Sequence, residues 1–228
     1  MAIVIEIGKM PEEPFNAALG FWLPPSTPYG NFTLKLFRIF ERLDEANRRL
    51  QESSRFWSLA VAENIHVNAF QRHSLATEEA IYMMRRAADE IISLIWCLSE
   101  CEKSKEYPDR ITIDCIGSAL SQDSKERHEI FTNHEGILVK LNDISNAHKH
   151  SFIQSDINLI GRDEPVVYAL ALTRNRLDRQ AQFHSVSLSS IATAYTEFFR
   201  ESLEWMRGYS ARNREHAEDA KPDNVPSL

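Results

Sequence analysis

The sequence predicts a mostly α protein with a smaller β part (α+β): a four- to five-helix bundle with a small antiparallel β-meander before the C-terminal helix. Three observations predict it. Apolar residues recur at three- and four-residue spacing from Phe32 onward, and a stretch ending near Lys103 is apolar on nearly every side. The pattern then changes to strict alternation around Val166–Leu172.

The chain divides into three parts. Residues 1–31 read as an extended arm. Ile3-Val4-Ile5-Glu6-Ile7 alternates like an edge strand, and Pro11, Pro14, Pro24, Pro25 and Pro28 follow. Proline fixes φ and removes a donor, so this arm wraps over other elements. Phe15, Phe21, Trp22 and Leu23 give it packing material. Residues 32–208 read as one helical domain that includes the meander, at about 152–188. Residues 209–228 read as a polar tail.

Within the domain, Phe32, Leu36, Phe40, Leu43 and Leu50 lie on one helical face, while Lys35, Arg38, Glu41, Arg42, Glu45 and Arg48 lie elsewhere. Residues 54–73 show no single period and read as a helix or two with a break near Asn64–Asn68. The next helix starts near Ser74 or Thr77, either of which can cap it, and runs to about Lys103. Its wide apolar surface belongs in the centre of a bundle. A short helix covers Ile113–Ser121. Thr132-Asn133-His134-Glu135 forms a capping box for a helix with Ile137, Leu141, Ile144 and His148 on its core face, ending near His150. Strand candidates are Phe152–Ile160, Val166–Leu172 and Phe183–Leu188. A last helix, about Ser190–Arg207, has Gly208 as its C-cap.

The 228 residues carry 26 basic against 33 acidic side chains, a net charge of −7. A broad DNA-binding face is therefore not expected, because phosphate neutralisation drives such binding. The most apolar stretch, Ile91–Leu98, is far short of the roughly 20 residues a membrane span needs. The first residues have no basic leader, so no secretory signal is expected. Cys97, Cys101 and Cys115 form no disulfide framework and suit a reducing, cytoplasmic compartment. Cys97 and Cys101 share a helical face, where buried thiols behave as small hydrophobes. Glycines are scattered singly, so no phosphate loop exists, and neither a nucleophile elbow nor zinc spacing is present. No cofactor and no metal are expected. His148 and His150, two apart on a helix, point about 200° from each other and cannot share an ion.

Leu141–His150 concentrates polar side chains at the end of an otherwise apolar-faced helix. Asn142, Asn146 and His150 are spaced i, i+4, i+8 along one face, with Lys149 beside them. Such a row can hold a phosphate or a water, with His150 titrating near neutral pH. It equally fits a solvated helix end, where Lys149 and His150 complement the C-terminal dipole.

Ser145-Asn146-Ala147-His148-Lys149-His150 resembles the signature of higher eukaryote and prokaryote nucleotide-binding (HEPN) domains. That signature is an Arg, often followed by a polar residue, then a His after four to six intervening residues. Asn146 and His150 match it, and Ser145 stands where the family has Arg. The resemblance covers mainly the helices around 75–150. It implies a helical bundle that binds RNA or nucleotide, or a protein partner, and pairs as a homodimer with the signature at the interface. In the family's metal-independent ribonucleases the Arg binds the scissile phosphate and the His does acid–base chemistry. Loss of the Arg therefore implies a non-catalytic module. The alternative is an endoribonuclease of toxin or defence type, with His150 catalytic and Arg85 or Arg86 supplying the phosphate contact; a third reading is a purely structural dimerisation protein. Arg86 is a candidate to replace the missing Arg in space, while Arg85 and Asp89 also fit an i,i+4 ion pair worth tenths of a kcal/mol. A literal Arg-x4-His, Arg179 to His184, falls in a loop and strand and reads as chance. Arg174, Arg176 and Arg179 read as a solvated hairpin tip.

Overall fold

A computed structural model describes residues 3–8, 21–62, 67–123, 126–150, 164–171, 178 and 180–218. Six helices and a two-stranded antiparallel sheet appear among them. The order is α1 (Phe32–Val61), α2 (Val67–Ser104), α3 (Ile116–Ser121), α4 (Glu129–Asn133), α5 (Glu135–His150), β1 (Val166–Ala171), β2 (Gln182–Ser187) and α6 (Leu188–Glu218). The mostly α bundle with a β element before the last helix is thus the observed fold. The strand expected at Phe152–Ile160 and the hairpin-tip arginines Arg174, Arg176 and Arg179 lie outside the described residues.

α1 starts sharply because Asn31 keeps extended backbone and its Oδ1 accepts the Leu34 N–H. Just before it, Gly30 at φ +90° closes a turn on Thr27, a conformation that favours glycine. The helix continues well past Leu50, since Ser53, Phe56, Trp57 and Ala60 extend its buried face. α1 and α2 form an antiparallel hairpin, as the pairs Arg42–Glu90, Arg49–Glu79 and Ser53–His73 show. The break expected at Asn64–Asn68 falls between the two helices, and residues 63–66 lie outside the described residues.

α2 begins at Val67, not at Ser74 or Thr77. Thr77 is a buried mid-helix residue whose hydroxyl donates to the His73 carbonyl. His73 is also buried, and its Nδ1 lies 2.9 Å from Ser53 Oγ. Ser53 Oγ in turn meets Thr77 Oγ1 at 2.8 Å. One consistent set of protons serves the cluster: Nδ1–H donates to the Ser53 backbone and hydroxyl oxygens, Ser53 to Thr77, and Thr77 to the carbonyl. A polar patch on the buried face disguised this part of the helical stripe.

The capping box at Thr132 is not formed. Thr132 lies inside α4, which His128 caps by accepting the Ile130 N–H at Nδ1. The His128 ring also packs edge-on against Trp205 of α6. α5 instead follows α4 through His134, and Arg127 bridges Glu135 to the Leu120 carbonyl. Gly208 is not a C-cap either: α6 runs on to Glu218, and Tyr209 and Ser210, assigned to the tail, are buried. Residues 219–228 of that tail lie outside the described residues.

One core joins all of these elements. It includes Leu36, Leu43 and Leu50 of α1, nearly the whole inner surface of α2, Leu138, Leu141 and Ile144 of α5, and Tyr195, Phe198 and Phe199 of α6. β1 turns Val167 and Ala169 into it, while Tyr168 stacks on Phe183 across the other sheet face. Residues 3–8 do not form the expected edge strand. Their alternation is real, with Ile3 and Ile5 buried and Val4 and Glu6 exposed, but helix side chains satisfy the backbone in place of a neighbouring strand. Asn47 of α1 accepts the Ile5 N–H at 2.7 Å and donates to the Ile5 carbonyl at 2.9 Å. Thr196 Oγ1 of α6 accepts the Glu6 N–H. Further along the arm, Ser210 Oγ accepts the Trp22 N–H, and Leu23 is fully buried. No described helix is long and apolar enough to cross a membrane.

Candidate functional site

α5 ends in the polar row because its apolar face is spent holding it in place. Ile137, Leu138, Leu141, Ile144 and Ala147 are buried against α2, α3 and β1, so the remaining positions are free to be polar. Asn142 and Asn146 are half-buried neighbours one turn apart, and Asn146 Nδ2 donates to Asn142 Oδ1 at 3.3 Å. Asn142 Nδ2 lies 3.5 Å from Asp143 Oδ1. Lys149 is exposed next to them. The backbone of His150 completes the helix, and its side chain lies outside the described residues.

Ser145 sits in the Arg position of the resemblance and is 6% exposed. It points into the packed side of the helix, so a long cation placed there would have to enter the core or displace α5. His148 is half-buried over the sheet, with Nε2 3.4 Å from the Tyr168 carbonyl and Nδ1 buried without a hydrogen-bond partner among the described residues. This histidine is a packing residue with a single weak hydrogen bond.

Arg85 and Arg86 of α2 diverge. Arg86 contacts Glu90 at 3.3 Å, and Glu90 is gripped by both Nε and Nη2 of Arg42 on α1. Arg86 therefore belongs to the α1–α2 cleft, whose mouth it shares with Lys35 and Arg38. It is not held at the α5 row. Arg85, one position back and about 100° round the helix, is half-buried, and its Nε is buried without a hydrogen-bond partner among the described residues. The Arg85–Asp89 ion pair does not form. Asp89 instead turns to α3, where Oδ1 accepts the Ile116 N–H at 2.8 Å. Burial raises the Asp89 carboxyl above its ordinary range, opposed by that N–H and by the nearby guanidinium of Arg85.

Lys35 and Arg38 lie off the buried face of α1 and are exposed. A signal for them was present: both lie in the first two turns, and the acids of that helix begin only at Glu41. Cys97 is buried and burial pushes its thiol up to about 11, as a core residue requires. No cluster of three potential metal ligands exists among the described residues. The chemistry offered at the α5 row is thus hydrogen bonding by two amides and attraction by one ammonium, with no arginine bonded to it among the described residues. His184, the end of the literal Arg-x4-His, is buried in β2, and Arg179 lies outside the described residues. Compared with protein-family models, curated proteins and solved structures, the chain matches none of them.

Proposed function

We propose that this chain is a non-catalytic, HEPN-like helical module that binds RNA or a nucleotide through Asn142, Asn146, Lys149 and His150 on α5. The observation that carries the reading is the hydrogen-bonded Asn142–Asn146 pair at the polar end of a core helix, with a buried serine where an arginine would serve phosphate chemistry. Stabilising the charge that develops on a phosphate in the transition state needs preorganised cations. Arg86 is engaged elsewhere. On this reading the module works in the cytoplasm, where its three free thiols stay reduced, and it pairs as a homodimer.

A second reading has one observation behind it. Arg85 makes no ion pair or side-chain hydrogen bond to another described residue, so its guanidinium is uncommitted; brought to a phosphate, it would make the chain a metal-independent endoribonuclease with His150 as acid–base. The test is incubation of single-stranded RNA with the wild type, His150→Ala and Asn146→Ala, without added metal. The non-catalytic reading expects bound, intact RNA in every case and weaker binding by Asn146→Ala. Cleavage abolished by His150→Ala selects the endoribonuclease. Absence of binding, together with a dimer in solution, leaves a structural dimerisation protein.

A further inference from the structure

We propose that the cleft between the start of α1 and the middle of α2 is a binding site for a small organic phosphate with a compact apolar body. This site is separate from the α5 row and does not depend on it.

The cleft has a volume of about 260 Å³. That is just under the roughly 300–1,000 Å³ of sites for drug-sized ligands, so the occupant is small. Its floor is apolar, formed by Phe32, Leu94 and Cys97, all buried. Its mouth carries Lys35, Arg38 and Arg86. Neither Lys35 nor Arg38 makes an ion pair or side-chain hydrogen bond to another described residue. Three cations line one opening in a chain of net charge −7, and two of them, Lys35 and Arg38, are left unpaired among the described residues. A cleft lined by one sign of charge focuses its field on ligands of the other.

The acid in the cleft does not cancel this field. Glu90 is held through both oxygens by Arg42 at 3.2 and 3.0 Å and touched by Arg86 at 3.3 Å, so its charge is already matched. The other titratable groups contribute no negative charge. The Tyr29 hydroxyl donates to the Pro108 carbonyl, and the Cys97 thiol is kept neutral by burial. Lys35 lines the same cleft as that thiol. Two guanidinium forks and an ammonium suit a dianionic phosphate head better than a carboxylate. The floor then takes the apolar body.

Isothermal titration calorimetry with phenyl phosphate, inorganic phosphate, benzoate and phenol tests this on the full chain. Phenyl phosphate is expected to bind more tightly than the other three, and more weakly as salt rises. Lys35→Gln and Arg38→Gln remove exposed, unpaired cations, so the fold is retained; circular dichroism checks this. Each is expected to weaken phenyl phosphate by about tenfold or more, the scale of one charge-assisted hydrogen bond. Asn146→Ala, in the α5 row, is expected to leave it unchanged. The proposal is overturned by undetectable phenyl phosphate binding, or by binding that survives both glutamine substitutions. Binding lost with Asn146→Ala moves the site to α5 and overturns it too. Inorganic phosphate or phenol matching phenyl phosphate refutes the pairing of head and body, and benzoate matching it refutes the phosphate head.

Discussion

Replacing Asn47 by alanine tests how the N-terminal segment is held. The Asn47 side chain is 7% exposed, and it satisfies both the N–H and the carbonyl of Ile5, which is wholly buried. Alanine leaves both backbone groups without partners, and each buried orphan costs about 1–3 kcal/mol. If the strip stays docked, the loss is therefore about 2–6 kcal/mol. If it lifts, the loss is the burial of Ile5 and Ile3, about 1.5–3 kcal/mol each, less the backbone entropy regained at roughly 1–2 kcal/mol per freed residue. The chain takes the cheaper route, and alanine also returns a few tenths of a kcal/mol in helix propensity at this mid-helix position. With the strip docked the expected net loss is about 2–6 kcal/mol, or roughly 4–24 °C in Tm for a chain of this size, and it is smaller if the strip lifts. Urea unfolding with linear extrapolation measures the first quantity, and hydrogen exchange at the Ile5 amide shows which route is taken. A variant within about 0.5 kcal/mol of wild type, with the Ile5 amide still protected, would refute the reasoning.

Other outcomes follow from the same kind of argument. Burial holds His73 below its ordinary value of 6.5, so the unfolded chain takes up the proton first. The advantage of wild type over His73→Gln is therefore full above about pH 6.5 and shrinks as the pH falls below it; a stability difference that is flat or grows on acidification contradicts this. Asp89 has the opposite sign. Its carboxyl is raised by burial, so its ionisation costs stability as the pH climbs past the ordinary carboxylate range. Asp89→Asn keeps an oxygen for the Ile116 N–H and should be neutral or stabilising, by up to about 1 kcal/mol at pH 7; a clear loss in urea titration would show that the charge itself is needed. Gly208→Ala should stabilise by up to about 0.5–1 kcal/mol through helix propensity, provided that the Arg212 guanidinium, 3.1 Å from the added Cβ and held on Glu102 through Nε and Nη2, gives by a few tenths of an ångström. A lower Tm would show that the Arg212–Glu102 pair does not yield.

What the sequence revealed, and what it concealed, follows physical lines. α5 and the first half of α1 were readable because their buried faces are almost wholly apolar, Ser145 of α5 being the exception. The start of α2 was concealed because Ser53, His73 and Thr77 put a satisfied polar network on a buried face, where periodicity expects hydrocarbon. Gly208 looked like a stop signal, yet Tyr209 and Ser210 have tertiary work to do beyond it, and packing overrides the propensity of one glycine. The Asn142–Asn146 ladder was legible from spacing alone. The destination of Arg86 was not, since helical periodicity gives an angle but not the identity of the neighbouring helix.

The anchoring of the arm also sets an order of events during synthesis. Glu6 is tied to Thr196 and Trp22 to Ser210, contacts that span 190 and 188 residues of chain. The arm thus waits for α6 to be synthesised before its backbone is fully partnered. Until α6 arrives, the apolar residues Ile3, Ile5 and Leu23 lack part of their final cover. Closing so long a loop is entropically slow, so docking of the arm is expected to be a late step that locks an already assembled helical bundle. The arm and α6 act as a clasp that fastens only once both have been made.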